Sequence, residues 1–142
     1  MDAKQNPRRQ GDLGERSAML WFGSQGAGVF VPVFHCRDFD LVVDHGDGLR
    51  RIQVKSSTCF RNKRWEVAVC TRGGNRSWSG LVKRLDPTAY DELFVLVGDG
   101  RRWLIPSHEV VGRCAIRLGG PQYARYEIDQ DPIGLRELRS VA

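Results

Sequence analysis

The fold is decided by two short stretches, Arg37-Asp38-Phe39-Asp40-Leu41-Val42-Val43-Asp44 and Ile52-Gln53-Val54-Lys55. Each combines apolar residues that favour β-structure with polar residues, a pattern that predicts a half-buried strand. The turn between them, His45-Gly46-Asp47-Gly48, is long enough and rich enough in glycine to close a hairpin. We therefore expect the two stretches to pair as neighbouring strands.

Pairing of these strands would bring polar groups together at one end of a small sheet. Because side chains alternate along a strand, Gln53 and Lys55 share one face, and Asp40 begins the partner strand. Hard cations such as Mg²⁺ take oxygen ligands, which the Asp40 carboxylate and the Gln53 amide can supply. The Lys55 ammonium could neutralise a phosphate or orient and deprotonate an attacking water. The alternative is an ordinary cross-strand ion pair between Asp40 and Lys55, with Gln53 as a surface amide.

Length and composition describe an ordinary globular chain. We expect its 142 residues to form a single domain over residues 11–142, preceded by a disordered basic arm at residues 1–10. There is no apolar run of membrane-spanning length and no apolar core of a secretory signal, so we expect a cytoplasmic protein without a membrane partner. Four cysteines lack metal-binding spacing and are expected to be reduced and mostly buried.

The net charge of +5 is distributed unevenly along the chain. Residues 50–84 contain ten Lys or Arg and one acid, Glu66, a net charge of +9 that leaves −4 for the remainder. A basic segment within a folded domain predicts a polyanionic partner, most often nucleic acid, although a solvated surface is the alternative. No glycine-rich phosphate-binding motif is present, so a nucleotide cofactor is not expected.

The first helix is predicted over residues 11–26. Asp12 is a suitable N-cap, and Glu15 follows at the capping-box spacing. Glu15 also shares a face with Ala18, Met19 and Phe22. A carboxylate on an apolar face either reaches back to cap the helix or has a partner elsewhere, and the spacing leaves both open.

The rest of the chain predicts mainly strands. We expect an edge strand at residues 29–33, a basic loop at 56–64, a buried central strand at 92–97 and a hairpin partner at 102–106. A glycine-rich loop at 72–80 carries Arg72, Arg76 and Trp78, and suits binding of phosphate or a base. We expect an extended segment at residues 123–128 and a closing helix at about 131–141, with Pro132 in its first turn.

Together these motifs resemble the core of the PD-(D/E)XK nuclease superfamily. The resemblance rests on Asp40, the strand and turn that follow it, and Gln53-x-Lys55, preceded by the helix motif Gly11-Asp12-x-Gly14-Glu15-x-x-Ala18. Two later stretches, Asp91-Glu92-Leu93-Phe94-Val95 and Trp103-Leu104-Ile105-Pro106, are similar to the intron-associated (homing) endonucleases. The arrangement also resembles archaeal Holliday-junction resolvases. The order and spacing of the motifs over roughly residues 11–111 carry the resemblance.

The resemblance implies a restriction-endonuclease-like α/β fold, a mixed β-sheet flanked by helices, and hydrolysis of DNA with Mg²⁺, for which Mn²⁺ substitutes. It implies that Asp40 is the central metal ligand, that Gln53 stands at the usual Glu or Asp position, and that Lys55 is the catalytic lysine. Glu15 would be the helix carboxylate and a further metal ligand. The neutral Gln53 weakens the case for two metal ions, although the intron-associated branch also uses Gln here.

We therefore expect a metal-dependent DNA endonuclease that acts as a homo-oligomer, a dimer or tetramer, because cutting two strands with one site per chain favours two-fold symmetry. Two alternatives are a catalytically degenerate DNA-binding module and a structure-selective junction resolvase. An RNA-directed nuclease or a protein-binding module is a further one. The residues expected to contact the nucleic acid are Arg50, Arg61, Lys63, Arg64, Arg72, Arg76 and Trp78.

Overall fold

The computed structural model describes residues 6–35, 38–72, 82–84 and 88–135. Within these ranges the chain forms one α-helix, two short 3₁₀ helices and eleven strands. In chain order they are α1 (Pro7–Ser24), β1 (Gly28–Phe30), β2 (Leu41–Asp44), β3 (Leu49–Ser57), β4 (Phe60–Arg61), β5 (Arg64–Ala68), β6 (Cys70–Arg72), β7 (Val82–Arg84), β8 (Glu92–Val97), β9 (Arg102–Pro106), a 3₁₀ helix (Ser107–Val110), β10 (Ala115–Leu118), a second 3₁₀ helix (Ala124–Tyr126) and β11 (Glu127–Ile128). Within the same ranges, no helix has the length and apolarity needed to cross a membrane.

The largest sheet contains six strands in the order β1-β2-β3-β8-β9-β11. Strands β3 and β8 run parallel, with Gln53 opposite Leu93 and Lys55 opposite Val95, and the other neighbours are antiparallel. The predicted hairpin is confirmed, because Leu41 pairs with Ile52 and Asp44 with Leu49. Strands β10, β5 and β4 form a second sheet, and β6 and β7 form a third.

The centre of the six-stranded sheet is its most buried part. Leu93 to Val97 of β8 are all inaccessible to solvent, as the continuous apolar run predicts for a central strand. The turn after β8 leads directly into β9, which confirms the second hairpin. The predicted strand at 29–33 is shorter, since β1 ends at Phe30, but β1 does lie at the edge of the sheet.

The sheet has an apolar core on each face. On one face, α1 packs through Ala18 and Phe22 against Ile52 of β3 and against β2 and β8. On the other face, Val67 and Val69 pack against the opposite side of β8 and against β9. Strand β3 lies between the two layers. Alternation therefore directs Ile52 towards the helix, and Gln53 and Lys55 towards the layer that contains β5.

The helix begins earlier than predicted. Asn6 is its N-cap, with Oδ1 accepting hydrogen bonds from the backbone N–H groups of Arg8 and Arg9 at 3.1 and 3.4 Å, and Pro7 occupies the first turn. The Asn-Pro pair is a stronger start signal than Asp12, because proline at N1 is preorganised for the helix. The predicted disordered arm is thus wrong for residues 7–10, and residues 1–5 lie outside the described ranges.

Two segments have a secondary structure other than the predicted one, residues 56–64 and residues 123–128. The predicted loop at 56–64 is wrong, because β3 continues to Ser57 and β4 and β5 form a tight hairpin. Its turn residues, Asn62 and Lys63, both adopt left-handed backbone conformations with φ of 50° and 60°. The predicted extended segment at 123–128 holds a 3₁₀ helix before β11.

The cysteines and the C-terminal turn differ in how well the sequence predicted them. Cys59 and Cys114 are free but exposed, so the expectation of mostly buried thiols is wrong for these two residues. Asp131 Oδ1 accepts hydrogen bonds from the N–H groups of Ile133 and Gly134, which is consistent with a capped turn. The rest of the predicted closing helix, residues 136–142, lies outside the described residues.

Candidate active site

The carboxylate of Asp40 is fixed where β2 begins to pair with β3. The Asp40 backbone N–H donates to the carbonyl of Ile52 at 2.8 Å, and Asp40 Oδ2 accepts from the Val54 N–H at 2.7 Å. These two bonds hold the residue against β3 on both its backbone and its side chain. Burial raises the pKa of Asp40, and the Val54 hydrogen bond and the charge of Lys55 oppose that rise. Asp40 is therefore a partly desolvated carboxylate in a fixed orientation.

Gln53 extends the site on β3 with a buried amide. Its side chain is only 7% exposed, and its Nε2 donates a long hydrogen bond of 3.4 Å to the Val54 carbonyl. Its Oε1 is buried and, among the residues that the structure describes, has no hydrogen-bond partner. An unpaired buried acceptor costs free energy and is rare in folded proteins. This residue is therefore not the surface amide of the alternative interpretation.

Lys55 lies on the same face of β3 as Gln53. Burial lowers the pKa of Lys55, while the charge of Asp40 and the Cys70 thiol act in the opposite direction. No direct ion pair joins the Asp40 and Lys55 side chains in the described part of the chain. The alternative of an ordinary cross-strand ion pair is thus not supported, and both groups remain free to contact a ligand.

The helix adds a second carboxylate, that of Glu15. Its side chain is partly buried, and its pKa is raised first by burial and then by the charges of Asp40 and Asp12. The effect of the Asp40 charge on Glu15 means that the two carboxylates lie within electrostatic reach of each other. Because α1 begins at Pro7, Glu15 lies beyond the first turn and cannot cap the helix. The contacts therefore link Glu15 with Asp40 and Asp40 with Lys55 through their charges, and the Val54 N–H ties Asp40 to the strand position next to Gln53. A site formed by all four side chains stays a prediction.

The comparison with known protein families decides the relationship. A family model described as PD-(D/E)XK endonuclease matches residues 5–118, which is most of the chain. The chain belongs to the PD-(D/E)XK endonuclease family. The sequence resemblance to this superfamily is thereby confirmed, and membership of the family supports a nuclease, with DNA as the class of substrate that the family implies.

A comparison of folds supports the same relationship. The structure of a bacterial homing endonuclease, I-Ssp6803I, matches with a TM-score of 0.74 and 21% sequence identity, covering 84% of this chain and 87% of that chain. This match confirms the restriction-endonuclease-like α/β fold that the sequence predicted. A sequence comparison with curated proteins gave no match.

One neighbour of the PD-(D/E)XK site was missed in the sequence. His35 is exposed, and its charge acts on the carboxylates of both Glu15 and Asp40. His45, in the turn between β2 and β3, instead packs its ring against Phe22 with 5.9 Å between the centroids. The only sequence signal for His35 as a neighbour of the site is its short distance along the chain from Asp40.

The structure describes the side chains of four of the seven residues predicted to contact nucleic acid, Arg50, Arg61, Lys63 and Arg64. Arg50 lies 3.3 Å from Asp47 and 3.4 Å from Glu92, and Arg61 contacts both carboxylate oxygens of Glu66 at 2.8 Å. Lys63 is exposed at the tip of the β4–β5 hairpin, beside Arg64. Arg72 lies in β6, and its side chain is not described. Arg76 and Trp78 lie outside the described residues.

The donor atoms of the site suit a hard divalent cation. No cluster of three or more His, Cys, Asp or Glu that could bind a metal occurs in the described ranges. Two carboxylates and the unpaired Gln53 Oε1 nevertheless provide oxygen atoms only, which are the ligands that Mg²⁺ and Mn²⁺ prefer. With Gln53 in place of an acid, the site carries less negative charge than the family motif would provide.

Proposed function

We propose that this PD-(D/E)XK endonuclease hydrolyses DNA phosphodiester bonds with Mg²⁺, for which Mn²⁺ substitutes. Asp40, Gln53 and Glu15 would hold the cation, and Lys55 would act on the attacking water. The fold similarity to a homing endonuclease favours a defined target sequence over a branched DNA structure. The two-strand substrate favours a homo-oligomer with a site in each copy.

Two observations carry this proposal: among the described residues Gln53 Oε1 is buried without a partner, and the N–H of the next residue, Val54, fixes the Asp40 carboxylate. A buried acceptor without a donor is costly in the free protein, and a bound cation would satisfy it. The Val54 N–H holds one oxygen of Asp40, so the other oxygen is oriented before any ligand arrives. These features support a preorganised cation site over a surface cluster of polar residues.

The bound cation and Lys55 would have different roles in hydrolysis. A divalent cation, when bound, supplies Lewis-acid stabilisation of the charge on the phosphate oxygens. Burial lowers the pKa of Lys55, which makes its neutral amine more accessible as a base. Lys55 would accept a proton from the water that attacks phosphorus. The P–O bond to one sugar oxygen then breaks, and that oxygen takes its proton from solvent.

The basic residues would bind the DNA backbone on either side of the site. Lys63 and Arg64 at the β4–β5 tip have no acidic partner among the described residues, so their charges are available to phosphates. Arg50 and Arg61 are paired with acids and would have to exchange these partners for phosphate. Arg72, Arg76 and Trp78 remain candidates from the sequence.

Cleavage of supercoiled plasmid DNA tests the proposal. The wild-type protein is expected to nick and linearise DNA carrying its target when Mg²⁺ or Mn²⁺ is added, and not in EDTA. Lys55→Met should reduce the single-turnover rate by about 10² or more, because it removes the base but keeps the volume of the side chain. Lys63→Met serves as the matched control, and it should weaken binding without changing the rate at saturating protein.

The outcomes separate the alternatives. Metal-independent DNA binding without nicking, unchanged in Lys55→Met, would favour a degenerate DNA-binding module. Cleavage of four-way junctions of any sequence, in preference to duplexes, would favour a junction resolvase. Because the target is unknown, a plasmid library with randomised inserts provides the duplex substrates.

A further inference from the structure

An uncharged apolar segment lies on the surface between β1 and the active site. Residues 26–34 contain no charged side chain, although the chain as a whole carries +5. Within it, Phe30 and Val31 are 55% and 56% exposed, and Val33 and Phe34 are 92% and 85% exposed. We call these four residues the β1 surface. Folded monomers rarely leave such a contiguous apolar group in water.

The β1 surface includes a free sheet edge. Strand β1 pairs with β2 on one side and, within the described residues, with no strand on the other. Val29 points into the core beneath α1, whereas the Phe30 ring lies beside Gly28 on the outer side of the strand. The edge therefore offers both unpaired backbone groups and exposed apolar side chains, which favours pairing with another strand.

The exposed area is sufficient for a small symmetric interface. Given the area of a buried aromatic residue and of aliphatic side chains, the four side chains offer roughly 500 Å² per copy. Two copies would bury about 1,000 Å², which is near the lower limit for a specific protein–protein interface. Additional contacts around the edge would add to this area.

The chemistry of the β1 surface argues against DNA as its occupant. Phosphate contacts require Lys, Arg or hydrogen-bond donors, and residues 26–34 carry no cationic side chain. Two copies of a chain with a charge of +5 repel each other least where the surface is uncharged. An edge strand is also self-complementary, because an antiparallel pair of identical strands satisfies two-fold symmetry.

We propose that the β1 surface is the interface between two copies of this chain. The β1 strands of the two copies would pair in antiparallel fashion, with Val33 and Phe34 of each copy covering the other. The same segment continues to His35, whose charge acts on Glu15 and Asp40. Assembly would therefore fix the chain on one side of each active site.

The oligomeric state of the full chain, measured by sedimentation velocity without DNA or metal, tests this interface. The wild-type protein should sediment as a dimer or a larger even-numbered assembly. Val33→Asp and Phe34→Asp should each raise the concentration needed for half-association by at least about tenfold, because a charge would be buried at the contact. Val111→Asp is the matched control, since Val111 is equally apolar and 55% exposed outside the β1 surface.

Each outcome decides the question. A wild-type protein that remains monomeric at the highest soluble concentration overturns the proposal, as does an assembly that both Val33→Asp and Phe34→Asp leave intact. An equal loss of assembly in Val111→Asp would also overturn it. Thermal melting of each variant shows whether it is folded. If either Val33→Asp or Phe34→Asp does not fold, the other variant provides the test of the interface. Since neither DNA nor metal is present, failure here leaves the proposed nuclease activity untouched.

Discussion

At the scale of single residues, the site combines groups that are each unfavourable in isolation. Among the described residues, the buried amide oxygen of Gln53 lacks a donor, the carboxylates of Glu15 and Asp40 repel each other, and the Lys55 ammonium group is desolvated. Such a combination lowers stability and is typical of functional sites, where the ligand compensates for the strain. Substitutions that relieve it are therefore expected to stabilise the free protein while removing activity.

Substitutions of Gln53 test most directly whether the site lowers the stability of the free protein in exchange for metal binding. Gln53→Met removes the unpaired oxygen at similar volume, so it should raise the melting temperature in EDTA and abolish any further increase on adding Mn²⁺. Gln53→Glu adds a third carboxylate, so it should lower the melting temperature in EDTA and enlarge the increase with Mn²⁺. Melting curves with and without the metal measure both. Equal responses to Mn²⁺ in the two variants would contradict a role for Gln53 as a ligand.

Glu15 provides a pH-dependent prediction. Its folded-state pKa is raised by burial and by Asp40, so it favours the folded state at low pH, and this contribution is lost as the pH rises through the folded pKa. Glu15→Gln should therefore be more stable than the wild type at pH 7 and equal to it near pH 3. Asp91→Asn is the control of opposite sign, because the hydrogen bonds and charge of Arg51 outweigh burial and lower the pKa of Asp91, so this variant should be less stable than the wild type at pH 7. A pH-independent difference would exclude a desolvated Glu15.

At the scale of elements, the position of α1 depends on a buried polar network that also involves β9 and the chain after β11. Arg102 is 7% exposed and donates to Ser17 Oγ at 3.2 Å and to the Asp129 carbonyl at 2.6 Å. Ser17 in turn donates to Asp131. Ser17 lies two residues after Glu15, so this network fixes the helix close to the active site.

Asp131→Asn should destabilise the protein in a pH-dependent way. Although burial raises the pKa of Asp131, the hydrogen bonds from Ser17, Gly134 and Ile133 and the charge of Arg102 outweigh it and lower the pKa. Its stabilisation is present above the unfolded-state pKa and is lost as the pH falls through the lower folded-state value. The variant should lose about 2 kcal/mol of unfolding free energy at pH 7. The loss should vanish near pH 2, and urea titrations at both pH values measure it.

Elements with a local signal could be predicted from the sequence, and elements that depend on distant contacts could not. Alternating residues and glycine turns identified the β2–β3 and β8–β9 hairpins. The strand at residues 65–71 was predicted and β5 confirms most of it, but the β4–β5 hairpin was missed because its turn residues, Asn62 and Lys63, include no glycine. Likewise, Gln53-x-Lys55 predicted its shared face from alternation alone, whereas the proximity of His35 depends on how the chain between β1 and β2 returns to the site.

At the scale of the whole molecule, three arginines of the basic segment at residues 50–84 are already paired with acids, namely Arg50, Arg51 and Arg61. The cations without an acidic partner in the described ranges include Lys63, which is exposed, and Arg64, which is half-buried, at the β4–β5 tip. DNA binding should therefore depend on the hairpin more than on Arg50 or Arg61, whose charges are partly neutralised.

The salt dependence of DNA binding tests this distribution. Lys63→Gln and Arg64→Gln should each weaken binding and reduce the slope of log K against log salt by about 1, because each removes one phosphate contact. Arg125→Gln is the control, since Arg125 pairs with Glu109 at 3.0 Å and should leave the slope unchanged. Fluorescence anisotropy with a catalytically inactive Lys55→Met background measures these slopes without cleavage. Equal slopes in all variants would remove the hairpin from the interface.

The most direct measurement of the central claim is a crystal structure of the protein soaked in Mn²⁺, with anomalous density to locate the metal. We expect one anomalous peak within bonding distance of the free Asp40 carboxylate oxygen and of Gln53 Oε1, with Glu15 and Lys55 facing the same space. The peak should disappear in Asp40→Asn crystals treated in the same way. A structure with no peak at Asp40, or with Lys55 directed away from it, would contradict the proposed cation site.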